Sequence, residues 1–336
     1  MTAPRVAEAL NQALREVMAG RPGLYLLGED ILDPYGGAFR VTRGLSTLFP
    51  DRVLGMPISE SAIVGIGNGF ALAGDEVIAE IMFGDFITLA VDQICNFAAK
   101  SATMYGRPVR LSTVVRCPVG GGRGYGPTHS QSLQKHFVGF PNLVLAELSP
   151  FHDPRWLLDR LLDLGRPAIL FEDKQLYARR AFRDGVIDDL FGYAPVGDGD
   201  WVRVAAHGEA GLDIALVAPG GLAHRAVQAA RTLLLEHDLL PQILTPATLY
   251  PVDTAPVLEA IGACGRVVIV EDSTAGGTWG AEVASRCTGQ AFAHLAAPIA
   301  LVHAPDSIIP SAAHLEQAVS VTPDRIVARA LELAHA

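Results

Sequence analysis

Short apolar runs alternate with segments of helical periodicity along most of this chain. The apolar run at residues 24–27, for example, follows a helical pattern over residues 6–18. Buried parallel strands read as short apolar runs without alternation, because helices cover both faces of their sheet. The pattern therefore predicts a doubly wound α/β fold. The further strands predicted in the N-terminal half are residues 77–82, 109–115, 143–145 and 168–171, and the further helices are 61–73, 87–104 and 154–164.

The alternation is interrupted once, at residues 179–204, where Asp and Gly are frequent and no helical stripe is visible. A chain of 336 residues predicts about two domains at roughly 150 residues each. We therefore expect a first domain over 1–185, a linker over 186–204 and a smaller α/β domain over 205–336. The strands predicted in the second domain are residues 214–218, 243–244, 267–270 and 299–302, and the helices are 221–236, 253–262, 276–288 and a last one from 323.

Composition excludes several classes of protein. Lys plus Arg is 26 and Asp plus Glu is 36, so the net charge is −10, which disfavours nucleic acid and anionic membrane surfaces as partners. Charged residues make up only 18%, against about 25% in a typical protein, which favours a buried subunit interface. The uncharged stretches are too short or too interrupted to predict a membrane span. Cys95, Cys117, Cys264 and Cys287 form no CxxC pair, which argues against a zinc site and fits a reducing cytoplasm.

Four local strings carry a chemical signal, and three of them begin where a predicted strand ends. Ligands of α/β sheets bind at that edge. Within the strings, Glu29 follows the first strand, Glu60 opens the helix at 61–73, and His129 follows a run of glycines. The adjacent His129 and Ser130 lack the GxSxG context of a hydrolase nucleophile. The strings span residues 28–37, 57–60, 81–100 and 120–132.

In order and spacing, these strings resemble the β subunits of thiamine-diphosphate-dependent 2-oxoacid dehydrogenases of the pyruvate and branched-chain types. The resemblance continues at residues 167–177, 270–272 and 276–283. It implies a pyrimidine-binding domain of the thiamine-diphosphate-binding fold, followed by a transketolase C-terminal-like domain. It also implies an α₂β₂ heterotetramer in which thiamine diphosphate is held between the subunits and the α subunit binds Mg²⁺ and the diphosphate. The segment Gly197-Asp198-Gly199 resembles the start of that metal-binding motif, which also requires an Asn further along the chain. No Asn follows Asn142, so the segment is interpreted as a polar turn.

The resemblance assigns roles to individual residues. Glu60 matches the glutamate that hydrogen-bonds the aminopyrimidine ring and promotes the tautomer that removes the C2 proton of the thiazolium. Met82 and Phe86 match residues that pack on that ring, where a thioether and an aromatic face suit a flat heterocycle. His129 matches a histidine that donates to the substrate carboxylate and takes part in acyl transfer. Two weaker candidates for the cofactor pocket are Ile58 and Glu29.

The resemblance implies decarboxylation of a 2-oxoacid substrate with transfer of the acyl group to a lipoyl-bearing carrier or acyltransferase. The sequence leaves the substrate's side chain open. One alternative is a split transketolase-like or acyloin-type enzyme that moves a two-carbon ketol unit, and another is a non-catalytic docking subunit. Leu164-Gly165-Arg166 replace the polar residues expected at a K⁺ site of the family, which leaves retention of K⁺ in doubt.

Overall fold

The computed structural model describes residues 3–208 and 211–335, which divide into two compact units. Residues 3–120, 139–148 and 152–181 form the first unit. The second unit consists of 121–138, 149–151 and the described residues from 182 onward. Each unit contains a sheet with helices, which confirms the predicted α/β class. The glycine-rich segment around His129 therefore groups with the second unit, although it lies within the residues predicted as the first domain.

The first unit contains a parallel sheet whose strands pair in the order β5-β6-β4-β3-β1-β2. The two inner strands β4 and β6 are buried along their whole length, as expected of a sheet covered on both faces. The strands are β1 Leu24–Gly28, β2 Val53–Gly55, β3 Glu76–Glu80, β4 Thr113–Val119, β5 Val144–Leu148 and β6 Ala168–Asp173.

The helices of the first unit are amphipathic where they flank the sheet. In α1 the buried side chains recur at helical spacing, from Val6 through Leu10 and Leu14 to Val17. Asp153 caps α5 by accepting from the backbone N–H groups of Arg155 and Trp156. The α-helices are α1 Val6–Gly20, α2 Leu45–Leu48, α3 Glu60–Ala73, α4 Ser101–Met104 and α5 Pro154–Asp163, with 3-10 helices at Gly84–Ala90 and Leu176–Ala178.

The helix predicted over 87–104 is not a single α-helix. A 3-10 helix ends at Ala90, and a π-helix covers Asp92–Ala98 before the short α4. The side chain of Asn68 on α3 donates to the carbonyl of Gln93 at 2.9 Å, which takes that oxygen partly out of the helical ladder. A side chain inserted into the ladder is a common cause of such widening.

The second unit contains a mixed sheet in the order β13-β12-β9-β10-β8-β7. Strands β9, β10, β12 and β13 are parallel, whereas β8 runs antiparallel to both β10 and β7. The strands are β7 Phe191–Val196, β8 Trp201–Ala206, β9 Ile214–Val217, β10 Pro241–Pro246, β11 Thr248–Tyr250, β12 Val267–Thr274 and β13 Ala300–Ala304. The α-helices are α6 Leu222–His237, α7 Ala255–Cys264, α8 Trp279–Ala291, α9 Ala313–Val319 and α10 Pro323–Ala334, with 3-10 helices at Gln134–Phe137 and Phe292–His294.

The segment predicted as a linker over 186–204 contains strand β7 and most of strand β8. Only Phe191 of β7 is buried, so the strand lacks the apolar run by which the other strands were recognised. Gly197 and Gly199 form the turn between the two strands, both with positive φ, as the interpretation of this segment as a polar turn predicted. Among the described helices none is both long and apolar enough to cross a bilayer.

Candidate functional site

Glu60 is the first residue of α3, and its side chain is buried with 5% of its surface exposed. The chain reaches it from β2 through the short segment 56–59. No residue in the described ranges 3–208 and 211–335 donates a hydrogen bond to its carboxylate. Its carboxylate oxygens are therefore available to a ligand that supplies a hydrogen-bond donor.

Glu29 follows β1 directly and is 6% exposed. Burial raises the pKa of its carboxyl group, and the negative charges of Glu60, Asp30 and Glu80 raise it further. The first unit therefore brings Glu29 and Glu60 into one electrostatic environment at the carboxyl edge of the sheet. The Glu29 carboxyl therefore holds a proton more readily than an isolated glutamate would.

The segment after β3 supplies the candidate ring-packing residues. Met82 and Phe86 are both half-buried, and Gly84 between them lies against the end of β4. A Cβ atom at Gly84 would lie 2.6 Å from Cγ1 of Val119, so only glycine allows this approach. Ile58 behaves differently, because 84% of its side chain is exposed in this chain.

A buried ionic network that the sequence did not reveal includes Glu80, the last residue of β3. Arg116 on β4 donates to Glu80 at 2.6 Å and forms a bidentate pair with Glu172 at 2.8 and 2.7 Å. The Tyr177 hydroxyl donates to Glu172 at 2.6 Å. The carboxylates outnumber the guanidinium here, and burial raises the pKa of Glu80 although Arg116 opposes that change. The network is coupled electrostatically to the site, because the negative charge of Glu80 raises the pKa of Glu29.

The same network explains why β4 ends later than predicted. The sequence suggested a strand over 109–115 that stopped before a charged residue. The observed strand continues through Arg116 to Val119, because two carboxylates neutralise the guanidinium within the sheet. A charged residue in an otherwise apolar strand, with Glu80 ending the neighbouring strand, was the available signal.

His129 lies in the second unit, half-buried, with its Nδ1 atom 2.9 Å from the Thr128 hydroxyl. Gln131, also in this loop, donates to the Pro127 carbonyl at 3.2 Å. The loop is fastened to β12, because Ser132 donates to Asp272 at 3.1 Å and Lys135 donates to the Thr274 carbonyl at 2.9 Å. The loop that carries the imidazole is therefore attached to β12 through residues that follow His129.

The glycines of α3 differ from one another in their local roles. A Cβ atom at Gly65 would lie 3.1 Å from the side-chain oxygen of Gln93, so Gly65 allows close approach of the π-helix. Gly74 ends α3 with φ of 108°. Gly69 faces solvent, and a Cβ atom placed there would meet no other atom within 4 Å.

Two findings bear on bound ions. No group of three or more His, Cys, Asp or Glu side chains able to hold a metal ion occurs within the part of the chain that the structure describes. Near the segment considered for K⁺, the carbonyl of Leu162 accepts from the Arg110 guanidinium at 3.1 Å and from the Ser112 hydroxyl at 3.2 Å. Protein donors therefore already occupy this carbonyl.

Comparison with known proteins defines the class. The family model of the transketolase pyrimidine-binding domain matches residues 2–180, and that of the transketolase C-terminal domain matches 204–326. A solved structure described as a split-gene transketolase, an inactive β4 tetramer, superimposes with a TM-score of 0.75 at 19% identity, covering 98% of this chain and 97% of that one. These matches define a transketolase-like protein with two α/β domains.

Curated relatives narrow the class to a family. The β subunit of the Cupriavidus necator acetoin:2,6-dichlorophenolindophenol oxidoreductase is 34% identical over 331 residues, which cover 96% of this chain and 95% of that one. The β subunit of the Bacillus subtilis 2-oxoisovalerate dehydrogenase is also 34% identical, with 98% of each chain covered. The chain belongs to the family of β subunits of thiamine-diphosphate-dependent 2-oxoacid dehydrogenases, as its resemblance indicated.

Proposed function

We propose that this chain is the β half of a decarboxylating 2-oxoacid dehydrogenase that is active only with an α subunit, in an α₂β₂ heterotetramer. The observation that carries the proposal is the buried Glu60 carboxylate, which receives no hydrogen bond from the described residues and lies beside Glu29. The relatives that match along nearly the whole chain are named as β subunits. A carboxylate that lacks a donor among the described residues can form a hydrogen bond with the ring nitrogen of an aminopyrimidine.

The residues of the first unit fit thiamine diphosphate. When bound, the coenzyme supplies the carbon nucleophile and the electron sink for decarboxylation. Glu60 exchanges a hydrogen bond with the pyrimidine ring and so controls where a proton resides on it. Glu29, whose raised pKa favours its protonated form, limits the negative charge that accumulates beside Glu60. Met82 and Phe86 pack on the ring, and Ile58 completes the pocket wall once the partner subunit covers it.

His129 acts on the substrate side of the reaction. Its imidazole donates to the carboxylate of the 2-oxoacid and then serves the transfer of the acyl group to a lipoyl-bearing acyltransferase or carrier. The hydrogen bond to Thr128 supports this role, because a partner at Nδ1 fixes the orientation of the imidazole ring.

The partner subunit supplies what this chain lacks in our proposal. It holds Mg²⁺ and the diphosphate, which agrees with the turn that Gly197, Asp198 and Gly199 form between β7 and β8. The hydrogen bonds to the Leu162 carbonyl support a family member without K⁺ at that position. We also place the protein in the cytoplasm, a proposal supported by four free cysteines.

The test compares Glu60→Gln with the wild-type chain after assembly with the α subunit. Gln keeps the size of the side chain but cannot exchange a proton, so 2-oxoacid decarboxylation should fall by about 10²- to 10⁴-fold. Glu236→Gln, at an exposed position on α6, is the matched control and should keep full activity. Wild-type decarboxylation by Glu60→Gln would contradict the proposal.

Acyloin cleavage is a second candidate, favoured by the relative named as an acetoin oxidoreductase. The assembled enzyme should be assayed with branched and linear 2-oxoacids, with acetoin and with ketose phosphates, using lipoyl carrier or 2,6-dichlorophenolindophenol as the acceptor. Turnover of acetoin or ketoses alone would favour the alternative. If no substrate is turned over and thiamine diphosphate does not bind, the chain would be a non-catalytic docking subunit.

A further inference from the structure

The glycine-rich loop before His129 has an unusual backbone. Gly120, Gly122, Gly124 and Gly126 all have positive φ, at 85°, 82°, 70° and 73°. L-residues with side chains rarely adopt this region, so four alternating positions require glycine. A loop built in this way has little intrinsic rigidity, and its conformation depends on what holds it.

Glu316 on α9 holds this loop. Its Oε1 atom accepts from the backbone N–H of Gly122 at 2.6 Å, and its Oε2 atom accepts from that of Gly124 at 3.0 Å. Hydrogen bonds to an ionised acceptor are stronger than those between neutral groups. Both oxygens of one carboxylate thus fix two loop amides that are two residues apart.

The burial of α9 is also unusual. Glu316 is the one buried residue of this helix, with 3% of its surface exposed, while its neighbours Leu315 and Gln317 are exposed. Helices normally bury an apolar stripe. A short helix that buries only a glutamate contributes little apolar packing, so its contact with the loop is its main structural function.

The glycine-rich loop and the segment 311–316 lie close together at several positions. A Cβ atom at Gly121 would lie 2.9 Å from Oε1 of Glu316, and one at Gly126 would lie 2.5 Å from the Ser311 hydroxyl oxygen. Gly124 is similarly placed, because a Cβ atom there would lie 3.2 Å from the Ser311 carbonyl oxygen. The glycines therefore serve both the backbone conformation and contact with the chain at 311–316.

His129 lies between two fastenings of this loop, both within the second unit. Glu316 holds the N-terminal side at Gly122 and Gly124, and β12 holds the C-terminal side through Ser132 and Lys135. Loss of either fastening would remove a restraint on the backbone that carries the imidazole.

We propose that Glu316 is a positioning residue for His129, which it orients by binding the amides of Gly122 and Gly124. The proposal rests on the role given to His129 in the proposed function. It assigns a part in the reaction to a residue of α9 that acts through the backbone of the loop.

The experiment has two readouts on the full chain assembled with its α subunit. Glu316→Gln keeps one acceptor and places an NH₂ group against the second amide. Hydrogen exchange of residues 121–126 should therefore accelerate by about tenfold or more. The kcat should fall by about 10- to 100-fold, because misplacement of a reacting group by about 1 Å has such an effect. Glu236→Gln is the matched control for both readouts.

Combination with His129→Ala separates positioning from general destabilisation. If Glu316 acts through His129, Glu316→Gln should lower kcat by less than about twofold in the His129→Ala background. An equal loss in both backgrounds, or unchanged exchange at residues 121–126, would overturn the proposal. Full activity of His129→Ala would overturn it together with the role of His129, whereas the Glu60→Gln experiment would still decide the proposed function independently.

Discussion

Glu29 makes the stability of this chain depend on pH. Its carboxyl has a raised pKa because it is buried and faces Glu60, Asp30 and Glu80. A raised folded-state pKa favours folding below the ordinary value of 4.5, and this contribution is lost as pH rises through the folded-state pKa. Glu29 therefore lowers the stability of the chain at neutral pH.

The variant Glu29→Gln should consequently be more stable than wild type at neutral pH. The difference should shrink towards zero as the pH falls below 4.5, where Glu29 is protonated in both states. Urea unfolding of the isolated chain from about pH 4 to about pH 8 would measure this difference. Parallel stability profiles for the two proteins would show that Glu29 has no raised pKa.

Arg116 and Tyr177 contribute unequally to the buried network. Arg116→Met leaves Glu80 and Glu172 buried without a counter-ion, which should cost about 3–5 kcal/mol. Tyr177→Phe removes one hydrogen bond, while the bidentate pair between Arg116 and Glu172 persists, so we expect a loss of about 1–2 kcal/mol. Denaturant unfolding measures the free energy of unfolding of each variant. Equal losses in the two variants would contradict the larger role given to Arg116.

The sequence predicted the individual carboxylates of the site better than their partners. Glu60 was found by resemblance, and Glu29 by its position after a strand. The pairing of Glu80 with Arg116 depends on the register of β3 against β4, in which these residues are directly opposite. Register is a tertiary property that residue types alone do not specify. The link from Glu316 to Gly122 is even more distant in sequence, since 194 positions separate the two residues.

At the scale of elements, the 3-10 helix Gly84–Ala90 is positioned by its contact with β4. Gly84→Ala would place a methyl group 2.6 Å from Val119 Cγ1 and 2.9 Å from the Pro118 carbonyl oxygen. We expect a stability loss of about 1–3 kcal/mol and weaker coenzyme binding by the assembled enzyme, because this helix carries Phe86.

Gly69→Ala is the control for that substitution. Gly69 lies within α3, and the added methyl group would meet no other atom within 4 Å. Alanine there should leave the isolated chain unchanged or stabilise it by about 0.5–1 kcal/mol. Thermal unfolding of the isolated chains measures the effect on stability, for which Gly69→Ala is the control, and titration of the assembled Gly84→Ala enzyme with thiamine diphosphate measures the effect on binding. A Gly84→Ala chain as stable as Gly69→Ala would refute the steric argument.

Elements that are buried on both faces were predicted well, and half-exposed ones were not. Strands β1, β6 and β9 read as apolar runs because helices cover them. Strand β7 exposes most of its residues, so its sequence resembles a polar linker. The π-helix escaped prediction because it depends on Asn68 reaching Gln93 from another helix.

The molecule as a whole carries few charges and leaves aliphatic side chains exposed. Ile66 on α3 is 43% exposed, and Leu89 and Val91, in the helical segment that packs against α3, are 59% and 37% exposed. Scattered exposed aliphatic residues are common, but a group on neighbouring elements favours an interface. With charged residues at 18%, this region is where we expect the α subunit to bind.

Leu89→Glu should therefore weaken assembly with the α subunit by about tenfold or more, because a charge would be buried in an apolar contact. The folded chain itself should remain stable, since Leu89 is exposed in isolation. Sedimentation velocity across a range of α-subunit concentrations measures the affinity. Leu235→Glu, at a 61% exposed position on α6 of the second unit, introduces the same charge and should assemble like wild type. Undiminished assembly of Leu89→Glu would show that the α subunit binds another surface.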